Sequence, residues 1–218
     1  MDLYHILNRS VDKQDLFLEN GDRVRFVHNL FEFNDAAPAN NTSRRLMNDL
    51  RSHLLGERKM LIDIHGWCLM RNHYHILISE RRVGGLTQFI RKLNIGYSKF
   101  FNDKYKRSGT LFQGRTKKIL ISSQSHFLHI LNYIHLNPLD YRLESAQWRE
   151  RHIKDSARAL AYLKKYRWSS YLDYCGIQNF PSIINTRLFR DVFGNYEKEL
   201  VSYLKDLEVD SIQNLTLE

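Results

Sequence analysis

The stretch MLIDIHGWCLMRNHYHILISE, residues 60–80, decides the fold. Two apolar runs, Met60–Met70 and His73–Ser79, are parted only by Arg71 and Asn72, and both have strand length. Such a pair reads as a β-hairpin with a tight turn. Side chains on a strand alternate between faces, so His73 and His75 emerge on the same side of the sheet.

Upstream of the hairpin, Tyr4–Asn8 reads as a short strand, and Asp22–Phe33 places Val24, Val27, Leu30 and Phe31 at helical spacing. Residues 34–43 (NDAAPANNTS) read as a loop, and 44–55 as a second short helix. Downstream, Leu86, Phe89, Ile90, Leu93, Tyr97, Phe100 and Phe101 form the stripe of a long helix over Gly85–Tyr105. A basic loop leads to a strand over Leu111–Ile121. Ser123 then caps a helix from about Ser125 to Leu136, which Asn137–Pro138 should end, because proline disfavours helical geometry in the residue before it. The order βα, ββ, α, β, α predicts an α+β fold, an antiparallel or mixed sheet with helices packed on it. The expected catalytic unit spans residues 1–143; residues 144–218 read as a small helical C-terminal module, with a last helix over Arg187–Lys205.

The chain carries 33 Lys and Arg against 24 Asp and Glu, a formal charge of +9 that favours a polyanionic partner. Mean hydropathy of −0.49 is that of a folded, water-soluble chain. No apolar run approaches the roughly 20 residues of a membrane span, and the N-terminus has no signal pattern, so a cytoplasmic protein is expected. Cys68 and Cys175 lack the spacing of a disulfide framework or a zinc site and read as small buried hydrophobes.

An imidazole pair at i, i+2 on a strand can chelate one metal ion while leaving positions open for substrate oxygens; ordinary strand histidines have the same spacing. On the helix ending at Leu136, Phe127, Ile130, Leu131 and Ile134 face the core, and His126, Tyr133 and Asn137 line one edge of that stripe. Tyr133 and Asn137, four residues apart, are neighbours in space. Spacing alone permits either a boundary tyrosine with a C-cap or two functional groups.

Three blocks resemble one family. HGWCLMRNHYHILI (65–78) looks like the HUH strand of the single-tyrosine transposases, the REP-associated tyrosine transposases and their insertion-sequence relatives. GTLFQGRTK (109–117) and NYIHLNPL (132–139) resemble two further blocks of that family, in the right order. The resemblance implies a ferredoxin/RRM-like HUH fold, with His73 and His75 as metal ligands, Tyr133 as the nucleophile and Asn137 completing the metal site. It departs in two places: Arg71 stands where relatives often have proline, and Asn137 replaces the glutamine of some members while matching the REP-associated branch. The implied activity is cleavage and rejoining of single-stranded, hairpin-bearing DNA through a 5′-phosphotyrosine, supported by Mg²⁺ or Mn²⁺. Arg71, Lys104, Lys106, Arg107, Arg115, Lys117 and Lys118 are the candidate DNA contacts. His65 reads as a core histidine or a group behind the metal ligands. Two alternatives stand beside this one, a domesticated hairpin-binding regulator without catalysis and an unrelated metal-dependent hydrolase. The sequence leaves open whether the site forms in one chain or across a homodimer.

Overall fold

The computed structural model describes residues 2–38, 58–142, 148–149, 153 and 155–206. Four strands, β1 (Leu3–Arg9), β2 (Ile62–Leu69), β3 (His73–Glu80) and β4 (Lys117–Leu120), form one sheet in the order β2-β3-β1-β4. Every pairing is antiparallel. With α1 (Asn20–Glu32) between β1 and β2, and α2 (Gly85–Lys104) between β3 and β4, this is the βαββαβ order of a ferredoxin-like sheet. The expected α+β architecture is therefore present, with a wholly antiparallel sheet.

Strand alternation sorts the residues into two cores. Ile6, Tyr74, Ile76 and Ile78 face α1 and α2, where Phe26, Phe89, Leu93 and Tyr97 meet them with 0% exposure. Leu3, Cys68 and Leu77 face the other way, toward α3 (Gln124–Leu136) and the helices after it. Burying a large apolar side chain is worth roughly 1.5–3 kcal/mol, so both layers are substantial stabilisers. Gly66 brings α3 onto the sheet: a Cβ there would lie 2.8 Å from the Leu131 side chain, two residues before Tyr133. The hairpin turn consists of Arg71 and Asn72, closed by a 2.8 Å bond from the Met70 amide to the His73 carbonyl.

The chain after α3 runs through a 3-10 turn (Asn137–Tyr141) and then α4 (Ser156–Lys165), α5 (Tyr171–Tyr174), α6 (Arg187–Phe193) and α7 (Tyr196–Asp206). This tail does not pack by itself. Leu160, Leu163, Phe189, Tyr196 and Leu200 share one core with Ile130, Ile134, Cys68 and Leu77. Residues 168–170 run along the open edge of β2, with Leu69 N donating to Trp168 O at 2.9 Å and Ser170 N to Trp67 O at 3.0 Å. His135 joins the two parts through both ring nitrogens, to Tyr196 Oη at 2.8 Å and Ser170 Oγ at 2.7 Å.

Four sequence expectations need correction or placement. The strand expected over Leu111–Ile121 has only the four residues of β4, since Gly114 turns at φ 68°. The single final helix is two, α6 and α7, broken at Gly194 with φ 57°. Proline does not expel Asn137 from helical geometry: at φ −48°, ψ −39° it carries α3 straight into the 3-10 turn. The helix expected over 44–55 lies outside the described residues. Among the described residues no helix is long and apolar enough to cross a membrane.

Candidate active site

The site lies on the face of the sheet covered by α3. The register sets Leu7 opposite His75 and Arg9 opposite His73, so odd-numbered residues of β1 share a face with the two histidines. His5 is one of them, and its Nε2 lies 2.9 Å from His75 Nδ1, the rings stacked with centroids 5.1 Å apart. His73 Nδ1 meets Asn72 Oδ1 at 2.8 Å. An amide oxygen only accepts, so His73 Nδ1 carries the proton and its Nε2 keeps a lone pair. The Nε2 atoms of His73 and His75 are both buried without a hydrogen-bond partner.

Two orphaned ring nitrogens, each backed by a group on Nδ1, are the arrangement a metal-binding pair requires. Burial holds the His73 pKa down to about 4, with the charge on Arg9 adding to the effect. His75 is pushed well below the ordinary histidine value by burial, then by His5 and His73. Burial brings His5 down to about 3. All three are neutral at pH 7, the form in which imidazole binds a metal.

Ser123 caps α3, its side chain accepting from His126 N at 3.2 Å, and the helix sets Tyr133 over the histidines. The Tyr133 ring stands edge-on to His75 at 5.7 Å and to His5 at 6.0 Å, and the residue is 5% exposed. One turn later, Asn137 Nδ2 donates to the Tyr133 carbonyl at 2.8 Å, and its Oδ1 accepts from Arg149 Nη2 at 2.9 Å. The structure thus gathers His73, His75, Tyr133 and Asn137. It engages both ends of the Asn137 amide in hydrogen bonds, so Asn137 braces the helix terminus, and its oxygen could join a metal only alongside Arg149. Among the described residues no third His, Cys, Asp or Glu completes a metal-binding group.

Sequence reasoning missed two members of the site. His5 was legible only once β1 was known to pair with β3. Arg149, twelve residues beyond Asn137, donates from Nη1 to Tyr133 Oη at 3.1 Å. His126, aligned with Tyr133 in the sequence, is buried, and its charge bears on His5. His65 has its own partners, Ser79 Oγ at 2.8 Å and Asn185 O at 3.2 Å, and is a core histidine.

The basic candidates divide by layer. Arg71 sits exposed in the hairpin turn beside His73, with Nε 2.9 Å from Asp15. Lys117 shares the face of the histidines, opposite Leu7, whereas Lys118, opposite Ile6, points to the other side. Lys104 is committed to an ion pair with Asp22 at 2.6 Å and Glu19 at 2.5 Å in the α1/α2 layer. Arg107 lies over Phe101 at 5.6 Å in that same layer, and Lys106 pairs with Asp103 at 3.7 Å. Arg115 is exposed in the segment before β4.

Comparison with known proteins finds a limited likeness. Among solved structures, one described as "Structure of the REP associates tyrosine transposase bound to a REP hairpin" shares 11% identity, covering 84% of this chain and 85% of that chain, with a TM-score of 0.48. No curated protein matches the chain. A family described as "Transposase IS200 like" matches residues 43–137. That stretch, less than half of the chain, holds His73, His75, Tyr133 and Asn137, and it is where the chain is similar to the IS200-like transposases.

Proposed function

We propose that the protein is a metal-dependent transposase that cleaves and rejoins single-stranded, hairpin-bearing DNA through a 5′-phosphotyrosine on Tyr133. The observation that carries this reading is the placement of the Tyr133 ring against His75, beside two buried and unpartnered Nε2 atoms. In cleavage the Tyr133 Oη–phosphorus bond forms as the phosphorus–O3′ bond breaks. The proton lost by the phenol is matched by the one gained at the new 3′-hydroxyl. Rejoining is the reverse, with another 3′-hydroxyl attacking, so no nucleotide cofactor is consumed. A bound Mg²⁺ or Mn²⁺ supplies positive charge to the non-bridging phosphate oxygens. His73 and His75 fit that ion as neutral Nε2 donors, and an imidazole pair suits Mn²⁺ at least as well as Mg²⁺. Lys117, on the histidine face, and Arg71, exposed in the hairpin turn next to His73 in sequence, are the basic residues best placed to take neighbouring phosphates, and the +9 charge favours such a partner.

The test is to incubate the full chain with Mn²⁺ and a labelled single-stranded hairpin oligonucleotide carrying a randomised 5′ flank. A denaturation-resistant adduct that maps to the peptide containing Tyr133 supports the reading. Cleavage without an adduct turns it toward the hydrolase, and binding alone toward the regulator.

His5 enters as the group behind His75. If His75 Nε2 donates to a metal, its Nδ1–H must donate to His5 Nε2. His5→Phe is therefore expected to weaken Mn²⁺ binding about 10–100-fold, measured by titration calorimetry. Unchanged affinity would remove His5 from the metal site.

A further inference from the structure

Arg149 lies outside the stretch that matches the transposase family, yet its guanidinium is held against the oxygen of Tyr133. One amino group, Nη1, donates to Tyr133 Oη at 3.1 Å. The other, Nη2, donates to Asn137 Oδ1 at 2.9 Å and Asp140 Oδ2 at 2.8 Å. Asp140 Oδ1 accepts from Trp148 Nε1 at 2.6 Å, and the guanidinium stacks over the Trp148 ring at 4.5 Å and the Tyr133 ring at 5.3 Å. The group is thus fixed by a carboxylate, an amide and two aromatic faces, and its side chain is only 25% exposed. An arginine needed only to tie the turn to the helix would be served by Asp140. Here a further N–H is directed at the oxygen that reacts.

We propose that Arg149 is a catalytic residue for both strand cleavage and rejoining, holding Tyr133 Oη in line and neutralising the charge it carries as attacking and as leaving group. This rests on the reading of Tyr133 as the nucleophile. The planar fork gives arginine the geometry for such a role, since it can donate to Tyr133 while staying anchored on Asn137 and Asp140. Arg149 keeps its own proton throughout, so it is not the base. In cleavage the Oη–phosphorus bond forms and the phosphorus–O3′ bond breaks. In rejoining the Oη–phosphorus bond breaks and the tyrosine oxygen departs. One preorganised cation serves both directions because both pass through the same transition state.

The experiment compares wild type, R149Q and R149K as full chains with Mn²⁺ and the labelled hairpin oligonucleotide. It follows adduct formation in a single turnover at saturating DNA, then rejoining after addition of an acceptor 3′-hydroxyl strand. R149Q is expected to slow both steps by about 10²–10³-fold, the usual cost of removing one preorganised donor. R149K, which keeps the charge and loses the fork, is expected to fall between. Hairpin affinity, read by fluorescence anisotropy, should stay within about threefold, and the equilibrium fraction of adduct should not move, because the two rates fall together. Wild-type rates in R149Q overturn the proposal, as does a defect that vanishes at saturating DNA. Should R149Q fail to fold, R149K decides: full rates at saturation overturn the proposal, and slowed rates in both directions support it. A wild-type chain that forms no adduct overturns the nucleophile itself, whereas a normal wild-type adduct with unimpaired Arg149 variants overturns only the role of Arg149.

Discussion

Replacing Tyr133 by phenylalanine is expected to abolish the covalent protein–DNA adduct, a loss of at least about 10⁴-fold in strand cleavage, while hairpin binding stays within about twofold. The substitution removes one oxygen. That oxygen accepts the bond from Arg149 Nη1, and the guanidinium stays anchored to Asp140 and Asn137 without it. The ring contacts with His5, His75 and Trp148 depend on the aromatic face and survive. A change in thermal midpoint of no more than a few degrees is therefore expected, which separates loss of chemistry from loss of fold. The measurement is gel mobility of labelled DNA after denaturation. An adduct of normal yield in Tyr133→Phe would move the nucleophile to another residue.

The second large effect is acid sensitivity. His135 is buried, and burial alone brings its pKa to about 3; His5, also brought to about 3 mainly by burial, is a second such group. In the unfolded chain a histidine titrates near 6.5, so between about pH 6.5 and 3 the unfolded state binds protons that the native state refuses. Stability is complete above that window and falls as pH falls through it. The loss is about 2 kcal/mol per histidine at pH 5 and about 3 kcal/mol at pH 4. Against the 5–15 kcal/mol of a typical domain, two such groups bring the metal-free chain close to unfolding near pH 4. Urea midpoints measured in chelator from pH 7.5 to 4 should fall steadily below pH 6.5, and less steeply in His135→Gln. A flat profile down to pH 4.5 would contradict the burial of these rings.

Much of the fold was legible because its signals are local. The turn Arg71–Asn72 between two apolar runs gave the hairpin, and period-two alternation placed His73 and His75 on one face before any pairing was known. The stripe through Leu86, Phe89, Leu93, Tyr97 and Phe101 gave α2, and Ser123 gave the start of α3. What stayed hidden depends on contacts distant in sequence. His5 is one histidine in a seven-residue strand, and only its register with β3 brings it to His75. Lys104 looked like a free basic group because its partners, Glu19 and Asp22, lie more than eighty residues earlier. Gly114 and Gly194, each at positive φ, ended elements that hydrophobic spacing alone would have continued. Arg149 had no local signal at all, since it reaches Tyr133 only through the turn after Asn137.

The bond from His135 to Tyr196 spans 61 residues, and that from Trp67 to Ser170 spans 103. Contacts so far apart close large loops, whose entropy must be met before the contacts repay it, and they slow folding accordingly. The hairpin and the α1/α2 layer can form early from shorter-range pieces. The layer that seats Tyr133 over the histidines gains the rest of its core from the tail, which lies along the edge of β2. As the polypeptide leaves the ribosome, the histidine pair and the tyrosine are made before the tail that completes the core around them.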